Sequence, residues 1–251
     1  AVQDNVPIFP VSAQCIEEIS GINDRKQLAE VERYYQLQQA ARLMADGLTL
    51  MDPQRFDLRG RLTIGQDVRI DINTVIEGEV TLGNNIYLGP NSYIRHCVIE
   101  DNVQVFANCV IEDAHIGSGS RIGPFARIRP GTHLDVNVHI GNFVEIKQTL
   151  VGENSKINHL SYVGDSIVGK RVNVGAGTIT CNYDGANKHQ TIIEDDAFIG
   201  SNSQLVAPVK IGKGATIGAG STITKDAPDG ELSLSRAKQT TVAGWRRPKK
   251  N

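Results

Sequence analysis

The sequence has few aromatic residues and no long hydrophobic run. Phe, Trp and Tyr make up 5% of its 251 residues, with a single tryptophan, so the core must be filled mainly by Ile and Val. No apolar stretch approaches the roughly 20 residues that a membrane-spanning helix needs, and no secretory signal peptide opens the chain. The sequence therefore predicts no membrane span and a cytoplasmic location.

Cysteine and net charge are also scarce. Cys15, Cys97, Cys109 and Cys181 show neither CxxC spacing nor a disulfide framework, which favours unreactive thiols in a reducing compartment. Lys and Arg number 26 against 28 Asp and Glu, which gives a formal net charge of -2. Such a balance produces no overall attraction to nucleic acid or to a membrane surface, so neither partner is expected.

An aliphatic residue returns at about every sixth position between Ile64 and Pro228. This period fits neither an amphipathic helix nor the simple alternation of a strand. It is typical of a parallel β-helix built from hexapeptide repeats. The repeat positions are Ile64, Ile70, Ile76, Leu82, Leu88, Ile94, Ile99, Val105, Ile111, Ile116, Ile122, Ile128, Leu134, Ile140, Ile146, Val151, Ile157, Val163, Val168, Val174, Ile193, Ile199, Leu205, Ile211, Ile217 and Ile223.

A second residue, small or β-branched, follows many of these aliphatic residues four positions later, as Val68, Ser155 and Ala215 do. Two residues with this spacing point to the same side of an extended segment, so both are expected in the core. Three hexads make one triangular coil of about 18 residues, which predicts roughly nine stacked coils about 45 Å long. Shorter steps, such as Ile94 to Ile99, indicate one-residue deletions at corners.

The repeat divides the chain into four expected parts. Residues 1–23 show no fold of their own, and residues 24–60 are predicted to form a linker helix and a connector. Asn23 or Asp24 is expected to cap this helix, which should end near Asp46. The β-helix is placed at 61–228 and a C-terminal tail at 229–251. The tail holds Trp245 beside two arginines, which fits either solvated charge or docking on a neighbour or an anionic ligand.

The six-residue rhythm fails between Ile179 and Ile192. A solenoid accommodates an insertion as a loop at a corner, and such loops often carry function. Polar residues accumulate just before and within this insertion, many of them about one coil length apart, so they are expected to converge on one face. Two cations on one face indicate an anionic ligand such as a phosphate. The members of this group are Arg129, Glu145, Lys147, His159, Tyr162, Asn173 and Asn182.

His159 falls near a corner by the hexad count and is expected to face outward. An imidazole with an ordinary pKa near ~6.5 suits a general base at neutral pH. Six histidines could alternatively supply zinc ligands, but they lack the paired spacing of such sites, and no metal site is predicted. The thiol of Cys181 is expected to pack rather than to act as a nucleophile.

Four stretches carry a resemblance to a known family: Gly123–Gly131, Gly141–Glu145, His159–Asp165 and Asn173–Lys188. They closely resemble the acetyltransferase part of the bacterial bifunctional N-acetylglucosamine-1-phosphate uridyltransferase / glucosamine-1-phosphate N-acetyltransferase. The last stretch is far longer than a generic hexapeptide match. The resemblance runs from about Ser20 to the C-terminus and implies a left-handed coil, a hand that the residues alone do not specify.

The resemblance implies acetyl transfer from acetyl-CoA to the amine of glucosamine 1-phosphate, in the synthesis of UDP-N-acetylglucosamine for the cell envelope. It also implies a homotrimer whose active sites lie between chains. His159 matches the general base of the family, and Asn182 matches a residue that orients the reacting groups. The implied acceptor ligands are Arg129, Lys147, Tyr162, Asn173 and Lys188. The implied residues of the acetyl-CoA groove are Ala176, Ser201, Ala219 and Arg236.

In the same family, an N-terminal nucleotidyltransferase domain precedes the linker helix. Residues 1–23 resemble its last segment, and Asn23 matches a magnesium ligand of that domain. The Gly-rich nucleotide-binding start and the carboxylate partner of Asn23 are not in this sequence, so neither uridyltransferase activity nor a functional Mg²⁺ site is expected of it. Two other functions stay open, a hexapeptide-repeat O-acetyltransferase and a non-catalytic β-helix scaffold.

Overall fold

A parallel β-helix preceded by one α-helix forms the chain in a computed structural model, which describes residues 3, 7 and 9–250. Residues 1, 2, 4–6 and 8 of the expected N-terminal segment, and residue 251 of the expected tail, lie outside the described residues. Two short 3₁₀ helices, Ile16–Ile19 and Pro53–Arg55, flank the α-helix.

The α-helix, Arg25–Ala45, packs against the first coil of the solenoid. Asp24 caps it by accepting a hydrogen bond from the backbone N–H of Gln27 at 2.8 Å. The buried amide of Gln36 joins it to the edge strand: its Nε2 donates to the Leu58 carbonyl at 3.0 Å, and its Oε1 accepts from the Leu58 N–H at 2.7 Å. The helix therefore covers the open end of the sheet, where backbone groups would otherwise lack partners.

The coils stack into a prism with three faces. The first face is an 11-stranded parallel sheet that runs the whole length of the solenoid. Its strands are Thr49–Leu50, Arg69–Ile70, Tyr87–Leu88, Gln104–Val105, Arg121–Ile122, His139–Asn142, Lys156–His159, Asn173–Val174, Phe198–Ile199, Thr216–Ile217 and Leu232–Ser233.

The second and third faces share a 17-stranded sheet, because the two long strands Phe56–Ile64 and Thr74–Leu82 run across the corner between them. The second face continues with Tyr93–Arg95, Val110–Glu112, Arg127–Ile128, Glu145–Lys147, Tyr162–Gly164, Ile179–Cys181, Gln204–Val206 and Thr222–Ile223. The third face continues with Val98–Ile99, Ala114–Ile116, Thr132–Leu134, Leu150–Val151, Ser166–Val168, Thr191–Ile193 and Val209–Ile211.

The aliphatic repeat residues fill the interior of this prism. All of them are buried except Ile64, which is partly buried and packs against the core. The smaller residues four positions later are buried as well, and their hydroxyls bond to backbone: Ser155 Oγ donates to the Gly169 carbonyl at 2.7 Å and accepts from the Val172 N–H at 2.9 Å. The predicted left-handed β-helix of hexapeptide repeats is thus confirmed, with about 10 turns.

The solenoid is longer than the predicted span of 61–228. At its start, Thr49–Leu50 already pairs with Arg69–Ile70, and at its end Leu232–Ser233 pairs with Thr216–Ile217. The sequence rhythm missed the first coil because eight residues, not six, separate the buried Leu50 from the buried Leu58, with the 3₁₀ helix Pro53–Arg55 between them. It missed the last coil because the residue that pairs with Ile217 there is the polar Ser233.

Candidate functional site

A group of charged and polar side chains lies on the second face where the insertion leaves the coil. Lys147 Nζ is 3.3 Å from Asp165 Oδ2, and both side chains are largely buried, at 16% and 14% exposure. The buried Asn182 side chain donates through Nδ2 to the same carboxylate oxygen, and to the Tyr162 hydroxyl at 3.4 Å. Asp165 therefore fixes both the Lys147 ammonium and the Asn182 amide at one point of the surface.

Arg129 lies on the same face, two coils before Tyr162. Its Nη1 donates to Glu145 Oε1 at 2.7 Å, and Glu145 is in register with Tyr162 in the next coil. The Tyr162 ring folds across Gly164, where an added Cβ would lie 2.3 Å from the phenolic oxygen. Gly164 is thus required for the close approach that turns the Tyr162 hydroxyl toward Asn182.

The insertion brings Lys188 to this group from outside the coil. Tyr183 and Lys188 form an antiparallel bridge, so residues between them make a small hairpin. A hydrogen bond with the adjacent Lys147 side chain, and then the positive charge of Lys147, lowers the pKa of Lys188, whereas the same hydrogen bond raises the pKa of Lys147. Lys188 forms no salt bridge with a carboxylate in the described part of the chain.

These residues give the second face an excess of positive charge. Arg129, Lys147 and Lys188 supply three cations, while Glu145 and Asp165 supply two carboxylates. One unit of positive charge is left uncompensated, and the Lys188 side chain is exposed to solvent. Such a surface is suited to an anionic ligand such as a phosphate.

His159 lies at the end of the first-face strand Lys156–His159, at the corner that leads to Tyr162. Its side chain is exposed, as predicted, and Nδ1 lies 2.9 Å from Oδ1 of Asn142 in the preceding coil. An oxygen acceptor at Nδ1 requires a proton there in the neutral imidazole, which leaves the lone pair on Nε2. The Nε2 atom is therefore the one available to take a proton from a substrate.

The three predicted groove residues Ala176, Ser201 and Ala219 follow His159 in one row along this corner. The core residues Ile157, Val174, Ile199 and Ile217 are in direct register, and each row member lies two positions after one of them. Three steps of ~4.8 Å give a row about 14 Å long, lined by small side chains. At its far end Arg236 Nη1 donates to the Ala219 carbonyl at 2.7 Å. A long, narrow ligand can lie along this row and end beside His159.

Three bulky apolar residues occupy the adjacent row of the same corner. Phe125, Phe143 and Leu160 have φ of 56°, 55° and 47° and are 50%, 55% and 62% exposed. The two rings stack with centroids 5.3 Å apart. Other coils place Asn or Gly at this position, as at Asn108 and Gly177, because a left-handed backbone is strained for bulky side chains. We call Phe125, Phe143 and Leu160 the apolar ridge.

Asn173 is separate from the other predicted acceptor ligands. It starts a first-face strand, in register with Lys156 and Phe198, and lines a cavity of about 520 Å³ together with His139 and Lys156. The expectation that all members of the polar group converge on one face is therefore wrong for Asn173 and for His159. Coil-length spacing defines which residues stack on each other, and Asn173 stacks on Lys156, whereas Tyr162 stacks on Glu145.

Sequence reasoning missed two residues that hold the site together. Asp165 is the shared acceptor for Lys147 and Asn182, and Asn142 is the partner of the His159 imidazole. Both lie about one coil length from the residues they contact, and this spacing was the signal that could have identified them. Neither stands out by residue type, because Asn and Asp at corners usually serve the turn.

The described residues contain no group of three or more His, Cys, Asp or Glu side chains arranged to hold a metal ion. The histidines are dispersed: His115 and His133 contact each other on the third face, and His189 pairs with Asp184 in the insertion. Asn23 is exposed at the start of the α-helix, where its backbone N–H donates to Gln27 Oε1 at 2.7 Å.

None of the described helices has both the length and the hydropathy required to cross a bilayer.

Two family models match parts of the chain. The model of the bacterial transferase hexapeptide (six repeats) matches residues 190–225, and that of the GMPPB C-terminal domain matches residues 58–133. Among solved structures, a UDP-N-acetylglucosamine acyltransferase of Francisella novicida is similar in fold, with a TM-score of 0.53 and 21% identity over 74% of this chain and 67% of that chain.

Curated relatives are similar over nearly the whole chain. The bifunctional protein GlmU of Marinobacter nauticus is 60% identical over 233 residues, which are 93% of this chain and 51% of that protein. The bifunctional protein GlmU of Ruthia magnifica is 57% identical over 250 residues, which are 100% of this chain and 55% of that protein. This chain thus spans about half the length of the relatives it matches.

Proposed function

Since this chain belongs to the bifunctional GlmU family, of whose members it spans about half the length, we propose that it transfers acetyl from acetyl-CoA to the amine of glucosamine 1-phosphate. The product, N-acetylglucosamine 1-phosphate, is a precursor of UDP-N-acetylglucosamine for the cell envelope. The observation that carries this proposal is the row of small residues that ends beside His159, next to a cationic surface. The relatives do not favour an O-acetyltransferase or a non-catalytic scaffold.

The acceptor phosphate binds at Arg129, Lys147 and Lys188. These cations carry one more charge than the carboxylates around them, so a phosphate supplies the negative charge that favours the protonated form of Lys188 beside Lys147. The Tyr162 hydroxyl is available to the sugar ring at the same surface, where the buried Asn182 amide, itself engaged by Asp165, orients it. An acceptor without phosphate loses these charge-assisted contacts and binds weakly.

His159 removes a proton from the acceptor amine as the nitrogen attacks the thioester carbonyl. The new C–N bond forms a tetrahedral intermediate, which collapses as the C–S bond breaks, and the proton passes from Nε2 to the departing CoA sulfur. A positioned histidine contributes roughly 10²–10⁴-fold to such a step. Asn142 supports this role because it holds the ring with the Nε2 lone pair free.

The acetyl-CoA arm lies along the row formed by Ala176, Ser201 and Ala219, with Arg236 near a CoA phosphate. Within the segment 175–177, the N–H groups of Gly175 and Gly177 already donate to carbonyls of Ile199 and Leu160. The Asn182 amide is engaged by Asp165. The Ala176 N–H makes no backbone hydrogen bond among the described residues, so it is the donor best placed to stabilise the oxyanion.

The active site is completed by a second copy of the chain, in a homotrimer. The apolar ridge supports this, since each bulky left-handed residue costs of order 1 kcal/mol and remains exposed in a single chain. The apolar ridge is next to His159, so a second copy that packs on the ridge also forms one side of the active site. Asn173, which lies on a different face from Lys147, reaches the acceptor from such a neighbouring copy.

An acceptor panel tests the proposed function. Release of CoA thiol is measured with glucosamine 1-phosphate, glucosamine, and hydroxyl acceptors such as serine or an N-acetylated sugar phosphate. We expect rapid release only with glucosamine 1-phosphate, and N-acetylglucosamine 1-phosphate as the product by mass spectrometry. Turnover with hydroxyl acceptors alone would support an O-acetyltransferase, and no turnover with any acceptor would leave a scaffold. A reducing cytoplasm, where acetyl-CoA is available and free thiols persist, is the proposed location.

A further inference from the structure

The insertion is a preorganised hairpin rather than an open loop. Its two ends are tied together by the His189 N–H, which donates to the Asn182 carbonyl at 2.8 Å, and by the bridge between Tyr183 and Lys188. At the tip, the Tyr183 hydroxyl donates to the Gly185 carbonyl at 2.6 Å. Gly185 has a φ of 103°, which only glycine adopts readily, so the turn itself is specified by sequence.

Asp184 is the central acceptor of this hairpin. Its Oδ1 accepts from the N–H groups of Ala186 at 2.8 Å and Asn187 at 2.7 Å, and its Oδ2 lies 2.7 Å from His189 Nε2. The pKa of Asp184 is held well below its usual range, first by the Asn187 N–H and then by His189. One carboxylate therefore joins the outgoing and returning arms of the insertion.

This hairpin places Lys188 beside Lys147. The Lys188 side chain hydrogen-bonds to that of Lys147, whereas a lysine on an unconstrained exposed loop would turn into solvent. Lys188 has no salt bridge to a described carboxylate, so its position depends on the backbone of the hairpin. The residues that hold the backbone on both sides of Lys188 are Asp184 and His189.

We propose that Asp184 and His189 are positioning residues for the acceptor phosphate. They close the hairpin so that Lys188 completes a two-ammonium clamp with Lys147. This inference rests on the proposed function, because it assigns the clamp to a phosphorylated amine acceptor. Neither residue touches the reacting atoms, and their contribution passes through Lys188.

A double-mutant cycle tests this path. The KM for glucosamine 1-phosphate, the KM for acetyl-CoA and kcat are measured for the wild type, Asp184→Ala, Lys188→Met and the double variant. Asp184→Ala should raise the acceptor KM roughly tenfold, the size expected when a hydrogen bond to a charged group is lost. Because the effect passes through Lys188, the double variant should have the same acceptor KM as Lys188→Met alone. The KM for acetyl-CoA should stay unchanged.

Conservative variants separate positioning from a general structural role. Asp184→Asn keeps an oxygen acceptor for the two backbone N–H groups and an amide donor toward His189, so it should restore most of the acceptor affinity. Lys170→Met, which removes an exposed lysine paired with Glu153 on another corner, is the matched control and should leave all constants unchanged.

The outcomes distinguish this inference from the proposed function. The positioning role would be overturned if the increases in acceptor KM caused by Asp184→Ala and by Lys188→Met multiplied in the double variant. A rise in the KM for acetyl-CoA would overturn it too. An unchanged acceptor KM in Asp184→Ala would overturn it as well. A wild-type protein that does not acetylate glucosamine 1-phosphate would instead contradict the proposed function, whatever the variants do.

Discussion

Asn142 and His159 occupy the same position in consecutive coils, and the Asn142 Oδ1 atom lies 2.9 Å from His159 Nδ1. This contact predicts that Asn142 affects catalysis through the orientation of the His159 ring. Replacing Asn142 by Ala should lower kcat about tenfold to a hundredfold, because the imidazole loses its fixed orientation and tautomer. Steady-state kinetics and a thermal unfolding curve check this, and the KM for glucosamine 1-phosphate should change little.

The Asn142→Asp variant tests the same contact through pH. A carboxylate beside Nδ1 favours the charged imidazolium, so the acidic limb of the kcat/KM profile should move to higher pH. A profile identical to that of the wild type would show that residue 142 does not contact the catalytic base.

The affinity for the acceptor should also depend on pH at the alkaline side. The pKa of Lys188 is lowered by the Lys147 ammonium, and its contribution to phosphate binding is present only while it is protonated. As the pH is raised, the KM for glucosamine 1-phosphate should therefore begin to rise at a lower pH than it would if Lys188 had the ordinary pKa of a lysine. The arginine of Lys188→Arg stays positively charged at these pH values, so this variant should show no such rise in the acceptor KM. A wild-type acceptor KM that stays constant up to the ordinary lysine pKa would contradict this prediction.

The apolar ridge should control assembly. Phe143→Asn and Leu160→Asn place a residue that adopts the left-handed backbone readily, so the single chain should not lose stability. Without the apolar contact, the proposed homotrimer should dissociate to smaller species in analytical ultracentrifugation, and activity should fall with it. Lys170→Met serves as an exposed control that should remain trimeric. A double ridge variant that sediments like the wild type would place the interface elsewhere.

The buried thiols should report unfolding of the solenoid. Burial raises the pKa of Cys97 and of Cys109 to about 11, so neither thiolate forms appreciably at neutral pH in the folded chain. Alkylation followed by mass spectrometry should label these two cysteines only as fast as the coils open, and after the half-buried Cys15. Equal labelling rates of Cys15 and Cys97 under native conditions would mean that the core opens locally.

The fold was predictable because one period governs most of the chain. Each aliphatic residue of the repeat had to face the core, so the stacking of residues such as Ile157 and Val174 followed from spacing alone. The first coil was missed because an eight-residue step separates the buried Leu50 from the buried Leu58. The left hand of the coil came from resemblance, because the residue pattern does not encode it.

The candidate site was only partly predictable, for the same physical reason. Spacing places residues in one row, and it correctly joined Glu145 with Tyr162. Spacing alone does not show on which of the three faces a residue lies, so Asn173 was grouped with residues of another face. The contact of Lys188 with Lys147 depends on the path of an insertion that interrupts the six-residue period, so it could not be predicted from spacing.

The most direct test of the account compares His159→Ala with the wild type. The rate of CoA thiol release on addition of glucosamine 1-phosphate is measured at saturating acetyl-CoA, with the oligomeric state of both proteins determined in parallel. We expect the variant to keep the wild-type assembly and to lose roughly 10²–10⁴-fold in kcat, the contribution of a positioned base. Wild-type turnover by the variant would mean that His159 is not the base and that the catalytic corner lies elsewhere.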